Sequence, residues 1–311
     1  MQIKDWLSAS RLRTLPLAAA CVFVGAALAL ASGLSTPEAE ERFWMVFGGI
    51  LFTVVVLQVL SNWANDVGDF ENGADGKDRL DRAVASGRIS SQQMKRGVIL
   101  ASAMAFILGV STVIFALNGT GLLWASSLIV LLGLLGIAAA YCYTAGNRPY
   151  GYAGWGDAAV FLFFGWIGVG GTAFLLAHSW SWTWLLPGTL TGGLSVAVLN
   201  LNNMRDHLSD AAAGKRTLPV RYGWPWSKWY HTVVFMVAWG SWWLFAMYLE
   251  AGQWRGMMWI FCLSLVHAGH VLRVHRTLRP EDLDPELKKV AISTAVVAFF
   301  LLLAQTQLPD S

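Results

Sequence analysis

Residues 43–61 read FWMVFGGILFTVVVLQVLS, and residues 62–75 continue directly as NWANDVGDFENGAD. The first of these segments is uncharged, and about 20 apolar residues are enough for a helix to cross the roughly 30 Å hydrocarbon core of a bilayer. The second segment is rich in amides and carboxylates. Together they predict a membrane-spanning helix that ends in a polar cluster.

The composition of the whole chain agrees with this prediction. Of the 311 residues, 56% are hydrophobic and only 13% are charged, about half the charged share of a soluble domain. A surface with so little charge would not keep a 34.0 kDa protein in water. Intrinsic disorder is excluded too, because a chain this apolar does not stay solvated.

Apolar runs of similar length recur along the entire sequence. They lie at residues 15–32, 43–61, 98–117, 120–141, 158–177, 182–201, 230–249, 256–272 and 290–308. The alternating pattern of a lipid-facing barrel strand is not visible in the sequence. We therefore predict an all-α fold, a polytopic membrane bundle of about nine transmembrane helices, built as a single integral-membrane domain over residues 1–311.

The positive charges predict how this bundle is oriented. If the N-terminus is cytoplasmic, every Lys and Arg except Arg42 and Arg255 falls in a cytoplasmic segment, as the positive-inside rule requires. Nine spans then leave the C-terminus outside. The alternative for the first run is a cleaved signal peptide, but its removal would take a span out of the bundle.

Acids and amides gather at two places, each where an apolar run ends. The second cluster reads NNMRDHLSD over residues 202–210. Side chains recur every four residues within the clusters, at Asn65 and Asp69 and again at Asn202, Asp206 and Asp210. This spacing lies along one face of a helix. Because carboxylates on one face repel each other unless a cation lies among them, and because oxygen-only ligands suit Mg²⁺ or Mn²⁺, the pattern predicts a metal site.

Basic residues follow each acidic cluster closely. They are Lys77, Arg79, Arg82 and Arg88 after the first cluster, and Lys215, Arg216 and Arg221 after the second. Acids that hold Mg²⁺ beside Lys and Arg are suited to binding a polyphosphate. Both clusters are predicted on the cytoplasmic side, so we interpret them as two halves of one site.

Two other interpretations compete with this one. A single acidic cluster is often only a solvated helix face, but the positive-inside rule does not explain two matching groups of Asn and Asp. A cation transporter is a remote alternative, since transport sites usually lie near the bilayer midplane. The three cysteines and six histidines show no zinc-type spacing.

Three segments carry a resemblance to a known family. They are residues 65–75, NDVGDFENGAD; residues 148–157, RPYGYAGWGD; and residues 214–218, GKRTL. In this pattern the chain resembles the UbiA superfamily of intramembrane aromatic prenyltransferases. It is most similar to the branch that acts on 1,4-dihydroxy-2-naphthoate. Gly73 stands where that superfamily has a third acid, and Asp75 is the substitute that the sequence offers.

The resemblance implies a reaction and a set of roles. A polyprenyl group passes from its diphosphate to 1,4-dihydroxy-2-naphthoate, with loss of CO₂ and diphosphate, giving demethylmenaquinol for menaquinone biosynthesis. The catalytic acids would be Asp66, Asp69, Asp206 and Asp210, and with Asn65 and Asn202 they would hold a pair of Mg²⁺ ions, or Mn²⁺. Diphosphate contacts would come from Asn65, Asn202, Lys77, Arg79, Arg88 and Lys215.

The acceptor side is less determined by the sequence. Arg148, Tyr141 and Tyr150 are the predicted contacts of the aromatic acid. An alternative within the same family is another acceptor, such as 4-hydroxybenzoate or homogentisate. The implied setting is a bacterial-type cytoplasmic membrane, with the site facing the cytoplasm. The length of the prenyl chain, the identity of the metal, the roles of Asp75 and Asp157 and the oligomeric state stay open at this level.

Overall fold

A computed structural model describes residues 2–33, 36–75, 82–146, 149–248 and 257–306. Within these ranges every regular element is helical, which confirms the all-α prediction. The helices are α1 (Ile3–Ala9), α2 (Leu15–Ala31), α3 (Pro37–Glu71), α4 (Ser91–Leu117), α5 (Leu123–Cys142), α6 (Gly156–Phe161), α7 (Gly171–Ala177), α8 (Leu185–Ala212), α9 (Leu218–Tyr222), α10 (Trp224–Ala246), α11 (Met257–Arg276) and α12 (Asp284–Thr306). A π-helical stretch, Leu162–Gly170, joins α6 to α7.

Seven helical segments in the described part of the chain are long and apolar enough to cross a membrane. They contain α2, α3, α4, α5, the continuous run from α6 to α7, α8 and α12. The remaining two predicted spans fall on α10 and α11, which are also helical. The protein is therefore an integral membrane helical bundle, while the count of nine and the sides of the two termini stay predictions.

The two helices that carry the acidic clusters continue beyond their apolar runs. Helix α3 has 35 residues and reaches Glu71, and α8 has 28 residues and reaches Ala212. At 1.5 Å per residue, α3 is roughly 50 Å long, so its last turns extend past the roughly 30 Å hydrocarbon core. Each acidic cluster consequently lies on ordered helix at the edge of the bundle, with the side-chain spacing that the sequence predicts.

Helix α8 lies at the centre of the bundle because glycines let its neighbours approach closely. It packs against α6, the π-helical stretch, α10 and α12. A Cβ atom on Gly192 would lie 2.7 Å from the carbonyl oxygen of Phe161 and 3.0 Å from the Cα of Gly165. Small residues at such crossings are how membrane helices gain contact area. The second acidic cluster is thus carried by a helix whose apolar window is 78% buried inside the protein.

The N-terminal and C-terminal helices are neighbours. Helix α2 packs against α12 and also against α3, α7 and the π-helical stretch. The start of α12 is thereby brought beside the chain that precedes α2, where Arg13 donates to Asp284 at 3.3 Å. This arrangement adds the first turn of α12 to the end of the bundle that carries both acidic clusters.

Candidate active site

A cavity of about 420 Å³ opens at this end of the bundle. Its polar lining comes from both clusters and from the loops beside them: Asn65, Asp69, Asp75, Arg82, Tyr152, Asn202, Asp206, Asp210 and Lys215. The rest of the lining is apolar, with Leu17, Ile50, Phe163 and Val198 among its residues. The cavity therefore joins an ionic end to an apolar interior.

One face of α5 forms a wall of this cavity. The residues that line it, Ile129, Leu132, Gly133, Gly136, Ala139 and Ala140, follow helical spacing. Only 6% of the apolar window of α5 is buried inside the protein. A single helix therefore separates the cavity from the surroundings of the bundle on this side.

Asp69 is the carboxylate that links the two clusters. Its Oδ1 lies 2.8 Å from Lys215 Nζ and accepts a hydrogen bond from the Tyr152 hydroxyl at 3.0 Å. Its Oδ2 lies 3.7 Å from the Arg82 guanidinium. Lys215 Nζ is also 3.7 Å from Asp210 Oδ1. Lys215 thus contacts an acid from each cluster, and the two clusters form one site.

Asp66 does not line the cavity, although it belongs to the same motif. Its Oδ2 accepts hydrogen bonds from the backbone amides of Ala83 and Val84, at 3.1 and 3.4 Å. On an α-helix Asp66 is rotated by about 100° from Asn65 and by about 60° from Asp69, and its hydrogen bonds to the two backbone amides hold its carboxylate away from the cavity lining. In this structure Asp66 therefore holds the loop that carries Arg82.

Arg205 forms hydrogen bonds with two residues of the second acidic cluster. Its Nε and Nη2 donate to the two carboxylate oxygens of Asp206 at 2.9 and 2.8 Å. Nη2 also donates to Asn202 Oδ1 at 2.8 Å, and Nη1 donates to Asp284 Oδ1 at 2.7 Å. One guanidinium therefore donates to the Asn202 amide oxygen, to both carboxylate oxygens of Asp206 and to a second carboxylate, Asp284, from α12.

The three segments that carry the family resemblance meet at this site. The Arg216 amide donates to the Tyr152 carbonyl at 2.9 Å, which places Lys215 over the Tyr152 ring, 4.8 Å from its centroid. Gly154 has φ +79°, and a Cβ there would lie 2.9 Å from the carbonyl oxygen of Arg216. This close approach accounts for a glycine at position 154.

The tyrosines beside the site remain neutral phenols. Burial and the neighbouring Asp69 carboxylate hold the pKa of Tyr152 well above its usual range. Burial, and next the Asp157 carboxylate, raise the pKa of Tyr143 in the same way. Burial, together with Cys142, raises the pKa of Tyr150 to about 12. Tyr152 consequently keeps the proton that it donates to Asp69.

The structure brings together most of the predicted site residues, but not all of them. Asn65, Asp69, Asn202, Asp206, Asp210, Lys215 and Tyr150 line the cavity. Tyr141 is 48% exposed and lies on a face of α5 that points away from the cavity. Arg88 is exposed and donates to Ser86, outside the cavity lining. Lys77, Arg79 and Arg148 lie outside the described residues.

Several residues at the site were not assigned to it from the sequence. Arg82 lies 3.2 Å from Asp75 Oδ2 and contacts Asp69 as well, so Asp75 does belong to the site. A groove of about 790 Å³ adjoins the cavity, and Arg11, Arg13 and Asp284 line it beside Asn202 and Asp206. These residues come from distant parts of the chain and show no motif spacing.

Asp157, whose role the sequence left open, is structural in its contacts. The carboxylate is 9% exposed and accepts a hydrogen bond from the Tyr230 hydroxyl at 3.0 Å. It does not line the cavity. Asp157 therefore ties the start of α6 to α10.

The donor atoms at the site suit Mg²⁺ in kind. Carboxylate and amide oxygens from both clusters face one cavity, and hard oxygens are what Mg²⁺ prefers. In the described ranges no three His, Cys, Asp or Glu residues converge closely enough to hold one ion. Lys215, Arg82 and Arg205 are instead in contact with the acids. The residues therefore fit a metal chemically, and binding it requires that some of these cations move.

Comparison with known proteins identifies the family. The model of the UbiA prenyltransferase family matches residues 18–305, nearly the whole chain. The chain belongs to the UbiA prenyltransferase family. Both acidic clusters and the loop residues that join them fall inside the matched region.

Several relatives of this chain carry the same name. The chain is 37% identical to a 1,4-dihydroxy-2-naphthoate octaprenyltransferase of Haemophilus influenzae over 298 residues, covering 95% of this chain and 94% of the relative. A protein of the same name from Escherichia coli is 42% identical over 233 residues, covering 74% and 72%. One from Mycobacterium leprae is 32% identical over 293 residues, covering 94% and 91%.

A solved structure supports the fold independently. It comes from work on digeranylgeranylglyceryl phosphate synthase in membranes, and it aligns with a TM-score of 0.61 over 98% of this chain and 99% of that one. The sequence identity is 15%. At that level the likeness shows the fold alone, and it carries no information on the substrate.

Proposed function

We propose that this protein transfers a polyprenyl group from polyprenyl diphosphate to 1,4-dihydroxy-2-naphthoate, releasing CO₂ and diphosphate and giving demethylmenaquinol for menaquinone biosynthesis. The observation that carries the reaction class is the cavity with Asp69, Lys215 and Asp206 at its ionic end and an apolar interior behind them. The names of the relatives support the naphthoate as acceptor. An acceptor such as 4-hydroxybenzoate is the alternative.

The polyprenyl diphosphate has an ionic half and an apolar half, and these match the two parts of the cavity. The diphosphate would lie among Asn65, Asp69, Asn202, Asp206 and Asp210, which would hold a pair of Mg²⁺ ions, with Lys215 and Arg82 taking further charge. The isoprenoid would lie along the apolar lining. Removing such a tail from water is strongly favourable, which is a physical reason for a membrane setting.

The bound Mg²⁺ would supply charge that stabilises the departing diphosphate. Lys215, which lies 2.8 Å from Asp69 Oδ1, would donate to the same anion, and Tyr152 keeps Asp69 oriented by donating to it. The allylic C–O bond breaks, and its electron pair leaves with the diphosphate. The ring carbon that bears the carboxylate attacks the allyl cation and forms the C–C bond. The bond to CO₂ then breaks, and its electron pair restores the aromatic ring.

The aromatic acceptor would approach the same cavity beside its tyrosines. Tyr143 and Tyr150 line the cavity with rings 5.4 Å apart, and π faces of this kind stabilise a nearby cation. Arg148 is the proposed contact of the naphthoate carboxylate, with Tyr150 beside it. We place the site on the cytoplasmic side of a bacterial-type cytoplasmic membrane, since the Lys and Arg residues concentrate there.

The direct test is an assay of detergent-purified protein with Mg²⁺ and a radiolabelled polyprenyl diphosphate. 1,4-Dihydroxy-2-naphthoate and 4-hydroxybenzoate are supplied in parallel reactions. Product from the naphthoate alone, abolished by EDTA, is the expected result. Product from the benzoate alone would keep the reaction class and reject the acceptor. If folded protein gives no prenylated product from either acceptor, the proposal is rejected for both acceptors.

The cavity also predicts a variant that selects against long donors. Gly171 lines the cavity, and a Cβ there would meet no atom within 4 Å. Gly171→Leu therefore extends a side chain into the proposed tail site. We expect the rate with an octaprenyl donor, relative to a farnesyl donor, to fall about tenfold. Measuring both donors at equal detergent content checks this.

Gly48→Leu is the matched control for that variant. Gly48 is also helical with open space at its Cβ, but it is exposed and does not line the cavity. The ratio of the two rates should be unchanged in this variant. An equal change in both variants would contradict the assignment of the cavity to the prenyl tail.

A further inference from the structure

Arg205 forms hydrogen bonds with the same oxygen atoms that the proposed function assigns to the metal. Asn202, Arg205 and Asp206 occupy positions i, i+3 and i+4 of α8, on one helix face. Nη2 donates a hydrogen bond to the amide oxygen of Asn202, and Nε and Nη2 donate to the two carboxylate oxygens of Asp206. A hard cation at this pair would need the same lone pairs.

Asp284 gives this guanidinium a second place to bind. It lies on the first turn of α12, and its Oδ1 accepts from Arg205 Nη1 at 2.7 Å. The planar fork of Arg allows one edge to face Asp206 while Nη1 faces Asp284. Arg205 can therefore give up Asn202 and Asp206 and still keep a carboxylate partner.

Lys215 and Arg82 form ion pairs with acids of the cavity itself. Lys215 contacts Asp69 and Asp210, and Arg82 contacts Asp69 and Asp75. All of these acids belong to the acidic clusters or line the cavity. Asp284 differs because it lies outside both clusters and lines only the adjoining groove. The ion pair between Arg205 and Asp284 therefore leads away from the proposed metal ligands.

We propose that Arg205 competes with the divalent metal for Asn202 and Asp206, and that Asp284 is the positioning residue that retains the guanidinium when the metal binds. The proposal rests on the proposed function. Before the metal binds, Arg205 removes the repulsion among acids that face one cavity. After it binds, Asp284 keeps the displaced charge beside the site, where it balances part of the charge of the diphosphate.

The test is a measurement of Mn²⁺ affinity without any prenyl substrate. Electron paramagnetic resonance of free Mn²⁺, titrated with detergent-purified protein, gives the dissociation constant. Arg205→Gln is expected to bind Mn²⁺ about tenfold more tightly than the wild type, because the competing charge is gone. The matched control is Arg276→Gln, which removes an exposed guanidinium from the last turn of α11. This control should leave the affinity unchanged.

Asp284→Asn tests the same proposal without removing Arg205. It should weaken Mn²⁺ binding about fivefold, because the displaced guanidinium loses its partner. In the Arg205→Gln background the same change should have little effect, since Asp284 acts through Arg205. Equal effects in both backgrounds would show a direct effect of the Asp284 charge and overturn the role proposed for it.

The outcomes separate this inference from the proposed function. Thermal unfolding is used to establish that both proteins are folded. If the wild type then binds Mn²⁺ and Arg205→Gln binds it no more tightly, the competition is rejected and the metal site stands. If neither protein binds Mn²⁺, the metal site of the proposed function is rejected, and the competition with it. If Arg205→Gln binds Mn²⁺ more tightly than the wild type and Arg276→Gln does not, the result supports both the competition and the metal site.

Discussion

Asp69→Asn is expected to lower kcat/KM for the polyprenyl diphosphate about a thousandfold. The asparagine keeps the shape of the side chain but loses the charge that holds Lys215 at 2.8 Å and Arg82 at 3.7 Å. It also weakens the hydrogen bond from Tyr152. Steady-state kinetics with varied donor at saturating naphthoate and Mg²⁺ measures the loss.

Glu71→Gln is the control for this variant. Glu71 lies two residues further along α3, is exposed, and pairs with Lys95 at 2.7 Å on the surface. Neutralising it changes the net charge of the same helix by the same amount, and kcat/KM should stay within about twofold, as expected for a surface pair. If Asp69→Asn retained more than a tenth of the wild-type value, Asp69 would not be essential to the reaction.

Lys215→Gln is expected to lower kcat/KM for the donor about a hundredfold. Lys215 is the side chain that contacts both acidic clusters, through Asp69 and Asp210. Its loss removes a donor to the diphosphate and leaves acids from two helices with less compensating charge. The inhibition constant of inorganic pyrophosphate should rise in parallel, because the same ammonium would bind the released product.

Lys95→Gln provides the comparison here, since its side chain is 54% exposed and lies on α4 away from the cavity. Both the catalytic efficiency and the inhibition constant should be unaffected in it. A Lys215→Gln protein with impaired turnover but unchanged pyrophosphate inhibition would argue that Lys215 organises the acids without contacting the diphosphate.

The sequence predicted the parts of this structure that depend on periodicity and charge. The apolar runs predicted the helices, and the four-residue spacing predicted that Asn65 and Asp69 share a face, as do Asn202, Asp206 and Asp210. The family resemblance predicted that three separate segments belong to one site, and the contact between Tyr152 and Asp69 agrees with it.

What the sequence could not predict depends on packing between distant segments. Asp66 is adjacent to the site in the sequence, yet its carboxylate turns to the amides of Ala83 and Val84. Asp284 lies between the last two apolar runs of the sequence and outside both acidic clusters, and it reaches Arg205 because α12 packs against α2 and α8. Arg82 was one of several basic residues, and no spacing rule distinguished it from Arg88.

The exposed position of α5 determines which concentration scale applies to the prenyl donor of this enzyme. The outward face of that helix is hardly covered by protein, so the proposed tail site lies one helix away from the acyl chains of the lipid. A long isoprenoid partitions into that phase almost completely, at roughly 0.8 kcal/mol for each buried CH₂. Its saturation behaviour is then governed by its mole fraction among lipid or detergent molecules, and a Michaelis constant in bulk molar units describes the assay mixture as much as the protein.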